Sequence, residues 1–383
     1  MENKKLKVGN VPPLRFPGFE GKWETKKLGD IATFSKGKGI SKSDIEENGL
    51  TECVRYGELY TYYGEVINDI KSKTNVDTSN LVLSEVNDVI IPASGETTID
   101  IATASCVLKS GIALGGDLNI IKTENNGVFL SYYLNNKKKM EIANLAQGIS
   151  VVHLYSSQLA TLTLNFPKLE EQNRISTFLA LFDARIQTQN KMIEELKLLK
   201  NTIRYQLYEQ ILNQENELVQ VKDALNYEQP TKYLVTNTDY SSDISLIPVL
   251  TANKAFVLGY TDDEYGIYDK GQCIIFDDFT MDVKFVDFLF KVKSSAIKIL
   301  TAKPNVNLKF IFEYLLFLNL SSNDHKRHYI SEIEPMEIQL PNYIQQTYVA
   351  DFLSSIDDKV KTEFEIHMLL IKQKQYLLAN LFI

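Results

Sequence analysis

The chain has 383 residues, 44% of them hydrophobic and 23% charged, with 41 Lys+Arg against 49 Asp+Glu and a net charge of −8. That apolar content fills a packed core and the length asks for two or more domains, which excludes a disordered chain, a collagen-like chain and a disulfide scaffold. Bulk charge does not favour a polyanion, so any nucleic-acid contact has to come from arranged residues, not from a basic tail.

Taken in chain order, the entry segment 1–22 opens on Met1-Glu2-Asn3-Lys4-Lys5 and lacks the apolar stretch of a signal peptide. Residues 23–165 are of mixed character. Leu81-Val82-Leu83 and Asp88-Val89-Ile90-Ile91 read as strands, Gly37–Gly39, Gly95 and Gly115-Gly116 as turns, and Phe129–Leu134 as a short helix. Residues 166–217 read as a long helix. Residues 218–340 return to mixed character, with strands at Leu246–Leu250, Cys273–Phe276 and Phe285–Phe290 and a helix at Leu308–Leu320. That last run is the longest apolar one, and Lys309, Glu313 and Asn319 break it, so it is too short and interrupted to span a membrane. Residues 341–383 form a second long helix. Cys53, Cys106 and Cys273 are too far apart to imply a disulfide framework or a zinc knuckle. A soluble, cytoplasmic chain is the expectation.

The two long helices are copies of one another. Phe166-Pro167-Lys168-Leu169-Glu170-Glu171-Gln172 aligns with Leu340-Pro341-Asn342-Tyr343-Ile344-Gln345-Gln346 at an offset of 174, and the alignment continues without a gap. Pro167 meets Pro341, Gln172 meets Gln346, Phe178 meets Phe352, Asp183 meets Asp357, and Lys200 meets Lys374. Apolar residues fall mostly at alternating spacings of four and three: Ile175, Leu179, Phe182, Ile186, Ile193, Leu196, Ile203 and Leu207 in the first copy, and Val349, Leu353, Ile356, Val360, Leu370, Leu377 and Leu381 in the second. This is the seam of a coiled coil, and forty residues of it span roughly 60 Å; two ordinary bundle helices are the alternative.

The order globular, helix, globular, helix has a geometric consequence. If the helices pair antiparallel, the C-terminus returns to the first globular part and the halves are related by a pseudo-two-fold axis, as in dimeric readers of paired DNA half-sites. The expected fold class is thus α+β: two globular domains, each followed by a long helix, with the helices paired as an antiparallel coiled coil. Such pairing brings Lys200 towards Asp357 and Lys374 towards Asp183, polar seam pairs of the kind that fix register.

The sequence shows no phosphate loop of the Gly-x-x-x-x-Gly-Lys-Ser/Thr type, no Asn/Asp-Pro-Pro-Tyr/Phe stretch, no Gly-x-Gly opening a helix after a strand, and no His-Glu-x-x-His. His325 and His328 are a pair without a complement and read as part of a polar DNA-facing or surface loop. The loop Ser35-Lys36-Gly37-Lys38-Gly39-Ile40-Ser41-Lys42 suits phosphate oxygens and a solvated turn equally. Arg55-Tyr56-Gly57-Glu58-Leu59-Tyr60-Thr61-Tyr62-Tyr63 suits core packing or groove contact.

These residues resemble the specificity subunit of type I restriction-modification enzymes. Pro13-Leu14-Arg15-Phe16-Pro17-Gly18-Phe19, then Trp23-Glu24 and Lys27-Leu28-Gly29-Asp30-Ile31, looks like the start of that family's first target-recognition domain. The doubled joint Pro167/Gln172/Phe178/Asp183 and Pro341/Gln346/Phe352/Asp357 looks like the start of its two spacer helices. Pro248-Val249-Leu250-Thr251-Ala252-Asn253-Lys254, Leu258-Gly259-Tyr260-Thr261 and Ile275-Phe276-Asp277-Asp278-Phe279-Thr280 is similar to one class of second recognition domain.

The resemblance implies a DNA-reading scaffold without catalysis or metal of its own. Each recognition domain, 23–165 and 218–340, would read one half of a split target in double-stranded DNA. The spacer helices, with Gln172, Phe178, Asp183, Gln346, Phe352 and Asp357, would dock two methyltransferase subunits, with two restriction subunits joining them. S-adenosylmethionine, ATP and Mg would belong to those partners, and no membrane is involved. The loop chemistry together with the resemblance selects Lys36, Lys38, Ser41, Lys42, Arg55, Tyr60 and Tyr62 in the first domain as DNA contacts. In the second it selects Lys232, Thr251, Asn253, Lys254, Lys326 and Arg327. The rivals are a coiled-coil interaction scaffold without DNA specificity and a single-chain methyltransferase or nuclease.

Overall fold

The computed structural model describes residues 9–148, 150–252, 255–321 and 326–383. Two compact units divide the chain, 1–189 with 366–383, and 190–365, so that each unit takes part of both long helices. Those helices run Leu169–Leu212 and Tyr343–Leu381.

In the first unit a five-stranded sheet has the order Ala32–Lys36, Leu118–Thr123, Asp88–Pro92, Ser105–Val107, Val66–Ile67. All its neighbours are antiparallel except the last pair. A four-stranded sheet joins Ser72–Thr74, Thr51–Val54, Ala113–Leu114 and Val82–Leu83. Glu24–Lys27 pairs antiparallel with Thr163–Phe166, so entry and exit strands close the globular part just before the long helix starts. The central strands Asp88–Pro92 and Ser105–Val107 are buried along their whole length, Val89 and Ile91 in one core and Ile90 in another. The resulting core gathers Trp23, Val89, Ile91, Phe129, Tyr133 and Phe166 with Ile175 and Leu179 from the start of the first long helix and Leu381 and Phe382 from the end of the second.

The second unit repeats this plan with different sheets. Leu225–Glu228, Ile297–Ala302, Cys273–Asp277 and Val283–Val286 form an antiparallel four-stranded sheet, beside a three-stranded sheet of Val257–Thr261, Ile247–Leu250 and Lys291–Val292. Glu217–Gln220 pairs with Glu337–Leu340 as the closing pair. Its core holds Phe276, Phe310 and Tyr314 with Tyr208 and Ile211 from the end of the first long helix and Val349 and Leu353 from the start of the second. In each unit, then, the beginning of one long helix shares a core with the end of the other. That is antiparallel pairing. The expected α+β class and the expected seam are both present, with Ile175, Leu179, Ile193, Val349, Leu353, Leu370 and Leu381 buried along it.

Three local readings need correction. Gly95, expected in a turn, lies in the strand Ser94–Gly95, which pairs antiparallel with Val152–His153. The strand expected over Phe285–Phe290 is Val283–Val286, and the chain then turns with Phe288 and Leu289 exposed before Phe290 is buried beside Tyr268. His328 is not on a surface loop. It is buried, because the carboxylate of Asp278 accepts its backbone N–H at 3.2 Å and that of Tyr329 at 2.9 Å, pulling the segment inward. His325 lies outside the described residues.

Candidate nucleic-acid interface

The first lysine loop leaves the edge strand Ala32–Lys36 and is held to its neighbours by backbone hydrogen bonds. The N–H of Lys38 donates to the Leu114 carbonyl at 2.9 Å, that of Gly116 to Gly39 at 2.7 Å, and that of Gly115 to Val54 at 2.9 Å. Three segments distant in sequence are thereby joined: Gly37–Gly39, Gly115-Gly116 and the start of the Arg55 segment. Glycine is required at position 37, since a Cβ there would lie 1.9 Å from the Gly115 carbonyl oxygen. Ile40 follows with φ of 55°, a conformation unfavourable for a β-branched residue, and is held there with its side chain buried.

On this frame Lys36, Lys38, Ser41 and Lys42 are exposed. Lys36 Nζ sits 5.8 Å from the ring of Tyr155, which stacks on His153 with centroids 6.4 Å apart. Ser41 caps the short turn Lys42–Asp44, its N–H and hydroxyl both donating to Asp44 Oδ2 at 2.7 Å, which holds the Asp44 carboxyl below its ordinary range. Arg55 is half-buried. Its guanidinium meets the buried carboxylate of Glu58 at 3.3 Å, and that carboxylate also accepts from Ser72. Tyr60 is partly covered, and burial pushes its phenol up, so it stays neutral. Tyr62 projects, 67% exposed. Basic side chains and the Tyr155–His153 pair therefore share one loop-bearing part of the first unit. The sequence reading missed Tyr155 and His153. The signal was the alternation of Val151 to Tyr155, which puts Val152 and Leu154 inside and His153 and Tyr155 outside.

The second set is more scattered. Lys232 is exposed on the turn Pro230–Tyr233. Thr251 is buried at 5% exposure, and its N–H donates to the Phe256 carbonyl at 2.9 Å. Asn253 and Lys254 lie outside the described residues. Lys326 and Arg327 are exposed, with Nζ of Lys326 3.7 Å from Glu332 and Nε of Arg327 3.9 Å from Asp278. Asp278 is itself buried against Lys298 at 3.2 Å, so one carboxylate ties the Asp277–Thr280 loop to the 326–329 segment.

The helix residues are placed as follows. Phe178 packs edge-on against Phe16, and Phe352 is exposed and stacked on Tyr348. Asp183 lies 2.7 Å from Lys374 and accepts from the Tyr132 hydroxyl at 2.6 Å. Asp357 lies 2.6 Å from Lys200 and 3.2 Å from Lys309. Gln172 and Gln346 are buried at the two joints. Burial pushes the thiol of Cys53 up to about 11 and those of Cys106 and Cys273 up to about 12, so these are packing groups, not nucleophiles. Among the described residues no three His, Cys, Asp or Glu side chains are grouped to hold a metal ion, and no helix is long and apolar enough to cross a membrane.

The family model of the type I restriction modification DNA specificity domain matches residues 20–198, from the entry strand of the first unit into the first long helix. Residues 20–198 are a type I DNA specificity domain. The specificity subunit of the type I restriction enzyme EcoR124I/EcoR124II from Escherichia coli is 46% identical to the chain over 133 residues, 33% of this chain and 33% of that protein. The MjaVIII specificity subunit from Methanocaldococcus jannaschii is 27% identical over 190 residues, 49% of this chain and 42% of that protein. These matches span less than half the length of either relative. The crystal structure of a type I restriction-modification S subunit from M. genitalium superposes with a TM-score of 0.68 over 97% of this chain and 99% of that one, at 15% identity. A structure of the type I R-M system described for its complex assembly and conformational transition gives 0.55 over 96% and 98%, at 14% identity. At those identities the likeness is one of fold, and it extends beyond the specificity domain to nearly the whole chain.

Proposed function

We propose that the chain is the DNA sequence-recognition subunit of a type I restriction-modification complex. Residues 23–165 and 218–340 each read one half of a split target. The paired helices set the separation and dock two methyltransferase subunits, and restriction subunits join that assembly. The chain carries no chemistry itself; S-adenosylmethionine, ATP and Mg serve the partners, and the complex works on DNA in the cytoplasm. One observation carries the reading: a DNA specificity domain stands in front of a helix whose joint is built twice in the chain, and a second sheet domain of different sequence stands in front of the second joint. Two unlike readers on like mounts are what an asymmetric, split target requires.

The proposed contacts among the exposed residues are Lys36, Lys38, Lys42, Tyr62, Lys232, Lys326 and Arg327. The basic ones suit phosphates and Tyr62 suits base edges, while Ser41 and Arg55 shape their loops. Methylome sequencing of cells with and without the gene tests the proposal. A split adenine-methylated motif that disappears on deletion is expected; an unchanged methylome would favour the scaffold without DNA specificity.

A further inference from the structure

Gln172 and Gln346 are 2% and 1% exposed, and two contacts of each are alike in the two units, while Nε2 also reaches Asn125 Oδ1 at 3.0 Å from Gln172 and the Asn305 carbonyl at 3.5 Å from Gln346. The Gln172 Oε1 accepts the backbone N–H of Asn126 at 3.0 Å, and its Nε2 donates to the Pro167 carbonyl at 2.9 Å. The Gln346 Oε1 accepts the N–H of Asn307 at 2.8 Å, and its Nε2 donates to the Pro341 carbonyl at 2.8 Å. Asn126 and Asn307 are the N-caps of the helices Gly127–Tyr133 and Leu308–Leu318, which carry the globular parts' aromatic cores. Each cap also meets the residue after its glutamine: Asn126 Nδ2 donates to Asn173 Oδ1 at 2.8 Å, and Asn307 Nδ2 to Thr347 Oγ1 at 3.4 Å.

A second tie lies six residues further along each capped helix. Tyr132 donates to Asp183 at 2.6 Å in the first unit, and Glu313 accepts from Lys200 at 2.8 Å in the second. Each globular part is thus fixed to the helix pair at two points about two turns apart. Two such points leave rotation only about the line joining them, and the core shared with the helices opposes that. The chemistry of the second tie differs between the halves, whereas the glutamine's bonds to the cap N–H and the proline carbonyl are the same in both.

Resting on the reading proposed above, we infer that Gln172 and Gln346 are positioning residues for target spacing. They touch no DNA; they hold each recognition domain at one angle to its helix, so that only half-sites at one separation are engaged together. A buried amide making both bonds is stiff, and its loss leaves an N–H and a carbonyl unsatisfied at the pivot.

The test uses the full chain assembled with its methyltransferase subunits and a pool of duplexes whose half-sites are separated by varied lengths. Gln172→Ala and Gln346→Ala are expected to keep the bases selected in both half-sites while the preference for the native spacing over spacings one base pair longer or shorter falls about tenfold. Gln172→Glu and Gln346→Glu keep the acceptor for the cap N–H and lose the donor, and intermediate preferences are expected from them. Thermal melts identify any variant that fails to fold, in which case the Glu variant of that joint decides. Unchanged spacing preference in folded variants overturns the inference, as do altered half-site bases, which would place the glutamines in the reading surface. Absence of any split motif with the unsubstituted chain is a different result: it overturns the proposed function, and this inference with it.

Discussion

Lys374 Nζ lies 2.7 Å from Asp183 Oδ1, and the same pair is built again 174 residues away as Lys200 and Asp357 at 2.6 Å. Each pair interrupts an apolar seam, and each is supplemented by a carboxylate from its globular part, Glu65 at 3.3 Å from Lys374 and Glu313 at 2.8 Å from Lys200. Burial pulls the Lys374 ammonium down, but the carboxylates of Glu65 and Asp183 outweigh it and raise it above the ordinary lysine range. The sign of the pH effect follows. A lysine raised in the folded state contributes its full stabilisation below the unfolded value of about 10.4 and loses it as pH rises through the folded value. Lys374→Met should therefore cost about 1–3 kcal/mol in denaturant unfolding at neutral pH. The difference from the unsubstituted chain should be flat from pH 6 to 9 and shrink above pH 10.

Glu313 is the more demanding position. It is fully buried, with Lys200 at 2.8 Å and Arg204 at 2.7 Å. Glu313→Gln leaves those cations facing a neutral amide, and a loss of about 3–5 kcal/mol is expected. Adding Lys200→Met should cost less than Lys200→Met alone, because the bond of Lys200 to Glu313 is already lost while that to Asp357 at 2.6 Å remains. A double-mutant cycle from urea melts measures the coupling, and strict additivity would show that the carboxylate and ammonium do not interact in solution.

Gly37 tests the frame of the lysine loop. The atoms a Cβ would meet there, the carbonyl oxygens of Gly115 and Leu114 at 1.9 and 2.7 Å, are backbone and cannot rotate away. Gly37→Ala should destabilise the chain by about 2–4 kcal/mol and weaken DNA binding together. Gly64→Ala is the control, since nothing lies within 4 Å of a Cβ at that site. It should leave both the melt and the binding unchanged.

The seam and its charged pairs were legible because a repeat reports twice on one packing problem. Two lysines at equivalent places in an apolar stripe call for two equivalent carboxylates, and antiparallel pairing leaves one way to match them. The glutamines were visible as part of the joint, but their work was not. Their partners Asn126 and Asn307 are separated by 181 residues, not 174, and sit in domains whose sequences otherwise differ. His328 was misread for a related reason. Its burial depends on Asp278, fifty residues earlier, and no local pattern around His328 announces that acceptor. Thr251 shows the limit of loop chemistry: a hydroxyl in a turn suits a base edge or the turn itself, and only its 5% exposure distinguishes them.

The remaining prediction separates charge from reading. Lys36, Lys38 and Lys42 are exposed on one rigid loop, and their ammonium groups can neutralise phosphates without selecting a sequence. Lys36→Ala, Lys38→Ala and Lys42→Ala combined should weaken binding to target and non-target duplexes alike. They should lower the slope of log affinity against log salt by about one for each phosphate that is no longer neutralised. Tyr62→Phe removes one hydroxyl and no charge, so its slope should not move. If that hydroxyl meets a base edge, discrimination should fall at one position of one half-site, by about 1–3 kcal/mol. Binding titrations of the assembled complex at several salt concentrations check both arms. A triple lysine variant that loses discrimination with its slope intact would place those lysines on base edges and leave the phosphates to other residues.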